Sequence, residues 1–197
     1  MLKFIVFLSA LTLGTAGAHA ENISGYFSAV GSDTFTGSTV SFGNSFVLGS
    51  LSGDFATYLN QSSPLSFVGG NVPYTQGTDN PVPNVTLFTV AGNGETFSFI
   101  MNSYTASYVT NDPSCGQGSV CLNATATGFF TGSGALNGQS GPATFVFTSQ
   151  YAPGVDVGNV TTFSASASAP TPEPASLAMV GSGLLAIGGF ARRRFNI

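Results

Sequence analysis

The chain has 197 residues, of which only 6% are charged, and a formal net charge of −4. Its four basic residues are Lys3, Arg192, Arg193 and Arg194, and its one histidine is His19, so residues 21–171 contain no cation at all, only Glu21, Asp33, Asp54, Asp79, Glu95, Asp112 and Asp156. Such a surface cannot neutralise phosphates, which excludes nucleic-acid binding, and it repels anionic lipid or polysaccharide unless a divalent cation bridges them. Ion pairs cannot hold such a body together, so apolar burial and sheet hydrogen bonds must do so.

The N-terminus reads as an export signal. Lys3 is followed by an apolar run over residues 4–13 interrupted only by Ser9 and Thr12, and Ala18-His19-Ala20 has the small-x-small form of a cleavage site. Cleavage after Ala20 makes Glu21 the first mature residue. The apolar run is too short to span a bilayer. About 150 residues then remain before the C-terminal segment, which fits one domain with a sizeable core.

That body, residues 21–169, reads as β throughout. Val85, Leu87 and Thr89 share one side of a strand, with Phe88 and Val90 on the other. Phe97, Phe99 and Met101 alternate with polar residues, and so do Phe145 with Phe147, and Phe163 with Ala165 and Ala167. Residues 103–110 and 119–130 behave alike. This is period-two patterning bounded by Gly, Asn and Pro, and no stretch shows a capped helical period. The Gly-, Pro- and Asn-rich segment 69–84 is expected to be a surface loop. Residues 131–142 are expected to be a hairpin end, within a strand–turn–strand–turn–strand meander over 128–169. About nine or ten short strands are expected, in an antiparallel β-sandwich or open barrel.

Cys115 and Cys121 are the only cysteines. An even count in an exported chain reads as a disulfide. Zinc needs about four ligands, and the body offers two cysteines and no histidine. The short loop limits the stabilisation to roughly 2 kcal/mol.

Most catalytic chemistry is missing. Without His or Lys, Ser-His-Asp, Cys-His and Ser-Lys arrangements and Schiff bases are excluded. Gly132-Ser133-Gly134 lacks the third glycine of a phosphate loop, with Asn137 in its place, and reads as a turn. A carboxylate-only hydrolase would need two acids about 5–10 Å apart. The candidates are Asp33, Asp54, Asp79, Glu95, Asp112 and Asp156, most of them beside turn formers. Hard-oxygen calcium ligands could come from Asp79 with Asn80, Asn111 with Asp112, and Asp156 with Asn159, but no EF-hand spacing is present. The absence of tryptophan weakens a sugar-stacking site, for which Tyr26, Tyr58, Tyr74, Tyr104, Tyr108 and Tyr151 substitute only in part. No cofactor is expected. The five Asn-x-Ser/Thr triplets read as turn and strand residues.

The C-terminus is the most specific part of the chain. Small residues pass into Pro170, Pro172 and Pro174, which force an extended spacer. Residues 175–190 are apolar, 16 in number, or about 24 Å as a helix. That is short of a hydrocarbon core of about 30 Å. Gly181, Gly183, Gly188 and Gly189 weaken the helix further, and Arg192, Arg193 and Arg194 mark the cytoplasmic side. Pro172-Glu173-Pro174, a short glycine-containing apolar helix and an arginine cluster, in this order at the end of an exported chain, resemble the PEP-CTERM sorting domain over about residues 170–197. The resemblance implies that Pro172, Glu173 and Pro174 are the recognition motif of an exosortase and that 175–190 sits transiently in the inner membrane. It implies that Arg192, Arg193 and Arg194 are the cytoplasmic stop, and that the mature protein reaches the cell surface or a biofilm matrix, with exopolysaccharide as a further partner. The expected function is a non-enzymatic structural or adhesive surface protein. A calcium- or carbohydrate-binding module is the alternative, and a carboxylate-only hydrolase the third reading.

Overall fold

The structure is a computed structural model describing residues 22–110, 115–171 and Gly183. Nine strands follow in order: β1 (Gly25–Phe35), β2 (Thr39–Gly49), β3 (Pro64–Phe67), β4 (Asn71–Pro73), β5 (Asn80–Gly92), β6 (Glu95–Thr110), β7 (Val120–Gly132), β8 (Ser140–Tyr151) and β9 (Thr161–Ala169). A six-residue helix, α1 (Gly53–Tyr58), lies between β2 and β3, and a 3-10 turn (Gly134–Leu136) between β7 and β8. All strand–strand pairs are antiparallel, in the order β1-β9-β8-β7-β6-β5-β3-β2, and β1 also pairs with β2. That last pairing closes eight strands into a barrel, and β4 is an extra strand on β2.

The expected all-β fold and the meander over 128–169 are both present. Of the sandwich and the open barrel, the chain forms a barrel, and it is closed. Residues 69–84 are the expected surface loop only in part: 69–70 and 75–79 are exposed and lie outside the strands, but 71–73 form β4, 80–84 begin β5, and Tyr74 is buried. Pro81 and Pro83 are accommodated because the ladder between β5 and β6 is irregular between Pro81 and Val85, where a missing N–H leaves no bond unmade. A second irregularity between Thr86 and Phe88 breaks the alternation, so Leu87 and Phe88 are both buried rather than on opposite faces.

Helix α1 was not legible as a helix because six residues hold less than two turns. In retrospect Phe55, Tyr58 and Leu59 show the i, i+3, i+4 spacing of one apolar face. Phe55 is fully buried and closes one end of the barrel, with its ring 5.1 Å from Phe27, 4.8 Å from Phe97 and 4.9 Å from Phe130. Asp54 accepts a hydrogen bond from the Ser24 backbone at 2.7 Å, tying the entering chain to this end. At the other end Tyr151 stacks on Phe35 at 4.3 Å. Its hydroxyl accepts from the Phe35 and Gly158 N–H groups at 2.9 and 3.1 Å, and faces the Phe35 and Asn159 carbonyls at 3.0 and 2.8 Å, to one of which it donates.

Between these ends the interior is filled with phenylalanine. Phe88 is fully buried and has five rings around it, those of Phe27, Phe67, Phe99, Phe130 and Phe145, at 4.9 to 6.4 Å. Strands β6 and β7 come close enough at Gly128 that a Cβ there would lie 2.0 Å from the Ile100 carbonyl oxygen, so no larger residue fits this crossing.

Gly25 pairs with Ala169, so the chain enters and leaves the barrel at the same end, the one closed by α1.

Phe88→Ala is expected to destabilise the protein by about 3–5 kcal/mol in denaturant unfolding. Raising NaCl to about 1 M should not weaken the wild type, because its described body has no ion pair to screen; a stability that falls with salt would contradict this account of the core.

Candidate functional site

Eight-stranded barrels can hold one small ligand when their interior is left open. This interior is not. The space left among Met101, Tyr104, Ala106, Leu122, Ala124 and Ala126 is about 20 Å3, room for about one water, and its apolar lining would keep it dry. The Tyr74 hydroxyl, at the margin of this region, donates to the Thr36 carbonyl. Burial, with a smaller contribution from Tyr108, pushes Tyr74 up to about 12, so it stays a neutral donor.

The candidate acids separate into two groups. Asp33, Asp54 and Glu95 are engaged by the fold. Glu95 is 2% exposed and sits at the α1 end. It accepts from the Ser133 hydroxyl at 2.9 Å and from the Thr96 and Leu136 N–H groups at 3.3 Å, anchoring the 3-10 turn. Asp79 and Asp156 lie on exposed loops. Asp112 and Asn111 lie outside the described residues. Among the described residues no three His, Cys, Asp or Glu side chains cluster as a metal site.

Asp33 is the exception to the turn reading of the acids. It lies within β1, eight residues beyond Gly25, facing the interior on the same side as Phe27 and Phe35, and is 2% exposed. The Ser149 hydroxyl donates to its Oδ1 at 2.8 Å, and Oδ2 is buried with no partner among the described residues. Desolvation pushes its pKa from 3.8 up to about 6, against a smaller lowering by the Ser149 bond. Asp33 and Glu95 are thus towards opposite ends of the barrel and do not form a pair with each other.

A concavity lies outside the barrel, an open trough of about 970 Å3 across the outer faces of β2, β1, β9, β8 and β7. Strand register makes it two transverse rows. Phe46, Val30, Ser164, Thr148 and Asn123 form one. Ser32, Thr162, Gln150 and Cys121 form the next, with Asn44 in the bulge opposite Ser32. Five strands at about 4.8 Å spacing make each row about 19 Å long. Sequence reasoning missed this surface because it depends on register between distant segments. The available signal was the run of small uncharged residues at alternate positions, Thr162, Ser164 and Ser166, with Thr148 on the neighbouring strand.

Cys115 and Cys121 form the expected disulfide, with Cα atoms 5.9 Å apart. It clamps the loop that walls one end of the trough, and Gln150 Nε2 donates to the Cys115 carbonyl at 2.6 Å.

The other sites expected from the sequence lie outside the described residues: Ala18 and Ala20 of the cleavage site, Pro172, Glu173 and Pro174, and Arg192, Arg193 and Arg194. So does the expected membrane helix, apart from Gly183, which is helical. Among the described residues no helix is long and apolar enough to cross a membrane. The last strand ends at Ala169, and residues 170–194 match the PEP-CTERM protein-sorting motif. The chain carries a PEP-CTERM sorting signal. PEP-CTERM proteins are exosortase substrates, so this is an exported protein that passes through the membrane for sorting. No curated protein and no solved structure matches the chain.

The folded protein holds the Asp33 proton more tightly than the unfolded chain does. The Asp33 contribution is therefore full below about pH 4 and is lost as the pH rises through about 6. A rise from 3.8 to about 6, at about 1.36 kcal/mol per pH unit, corresponds to about 3 kcal/mol. Relative to wild type, Asp33→Asn should gain stability between pH 4 and 7 by up to that amount. A difference in unfolding free energy that does not change across this range would refute the assignment.

Proposed function

We propose that this PEP-CTERM protein is a non-enzymatic structural or adhesive component of the cell surface or the biofilm matrix. The observation that carries the proposal is the placement of the sorting motif one residue beyond the last barrel strand. Pro170, Pro172 and Pro174 can neither donate to a ladder nor sit inside a helix, which favours a spacer whose peptide bonds a processing enzyme can reach. The chain leaves β9 at the α1 end of the barrel, the end opposite Tyr151 and the disulfide.

The barrel itself has the character of rigid cargo. Its interior is solid, and each described candidate acid is either engaged by the fold or exposed on a loop. An adhesive role uses the outer surface, which is where the neutral, hydroxyl-rich side chains are. Matrix exopolysaccharide is the partner this reading favours.

Glu173→Ala should leave the protein in the inner membrane with a C-terminus still at Ile197. The wild-type protein recovered from the surface should end near Pro174 when its intact mass is measured. Surface-located wild-type protein still ending at Ile197 would sink the exosortase reading.

A further inference from the structure

We infer that the outer trough is a binding site for an uncharged, hydroxyl-rich polysaccharide strand, with Phe46 as its stacking platform. The inference rests on the surface-adhesin reading and gives it a site.

Three observations support it. The first is chemistry. The two rows present hydroxyl and amide groups at regular spacing, and among the described residues the side chains of Asn44, Thr148, Thr162 and Ser164 have no intramolecular hydrogen-bond partner, although all four are exposed. Uncommitted donors and acceptors of this kind can pair with sugar hydroxyls in either sense.

The second is the apolar contact. Phe46 is 42% exposed at the β2 end of its row and is directly opposite Val30. An exposed aromatic next to an array of hydroxyls offers the two kinds of contact a pyranose ring presents, an apolar face and a polar rim.

The third is charge. No described residue lining the trough is ionised, and the body around it is purely acidic. A neutral strand meets no electrostatic cost here, whereas a polyanion is repelled. The opening of about 970 Å3 and the row length of about 19 Å suit a chain of several sugars rather than one. The trough also lies towards the end of the barrel away from Ala169, where the disulfide loop and Pro153 form its wall.

The test uses the full chain purified in detergent and titrated with cellohexaose, dextran and yeast mannan, with alginate as the anionic counter-probe. Saturable binding to at least one neutral probe is expected, and little to alginate. Phe46→Ala should weaken binding about tenfold. Thr148→Val and Ser164→Ala, which remove hydroxyls with little change of shape, should weaken it several-fold. Val85→Ala, also exposed but outside the trough, should leave it unchanged, and all four variants should keep their melting temperatures. No binding tighter than about 1 mM to any of the three neutral probes overturns the inference, as does binding that the trough variants do not alter. Stronger binding to alginate also overturns it. If Phe46→Ala abolishes self-association in sedimentation and leaves glycan binding unaffected, the face belongs to a second copy and the inference fails. Failure here with a correctly trimmed C-terminus leaves the sorting function standing; an untrimmed surface protein removes that function whatever the trough binds.

Discussion

The absence of any cation from the folded body constrains everything else in this structure. A buried carboxylate normally draws on lysine or arginine for compensation. Here only N–H groups and hydroxyls are available. Glu95 obtains two N–H groups and one hydroxyl, and in return it organises the turn between β7 and β8. Asp54 obtains the Ser24 backbone and hydroxyl. Asp33 obtains one hydroxyl, and its second oxygen has nothing among the described residues. The pKa of Asp33 rises because this compensation is incomplete. Cohesion must then come from dispersion and apolar burial, which accounts for an interior filled with phenylalanine, packed in edge-to-face, tilted and stacked pairs.

An interior of that kind also decides what the barrel can do. A closed eight-stranded sheet has a fixed diameter, and the same diameter can enclose a ligand or a set of large side chains. Phe88, Phe99, Phe130 and Phe145 take up the space a ligand would occupy, while Phe55 and Tyr151 close the two ends. The solid interior leaves only the outer surface open to contact with other molecules. There, alternation along each strand places Ser, Thr, Asn and Gln at the positions opposite the aromatic core.

The strands of the C-terminal half were legible in the sequence because local alternation there is unbroken. Phe145 and Phe147 point inward as read, as do Phe163, Ala165 and Ala167. Leu87 and Phe88 were misassigned because a ladder irregularity puts adjacent residues on the same side, and such an irregularity is set by the partner strand β6. The strand parts of segment 69–84 were missed because its prolines suggest a loop unless the register shift that accommodates them is known. Asp33 has no Gly, Pro or Asn neighbour, only Ser32 and Thr34, and its burial follows from strand phase rather than composition. Closure of the barrel and the transverse rows of the trough both depend on which strands become neighbours. The chain brings residue 30 beside 164 and 148 only in three dimensions. The sorting motif was legible because it is a short linear signal whose parts act in order and need no fold.

Closure also removes one route by which so weakly charged a chain could aggregate with itself. Mutual repulsion between copies is small at this charge density, and an open sheet would offer its unpaired edges to a neighbouring copy. Pairing β1 with β2 removes both edges of the main sheet at once. The extra strand β4 has only three residues and ends in Pro73, which lacks the N–H a neighbouring strand would need. With its edges removed in this way, the outer surface can be almost neutral and still belong to a discrete molecule.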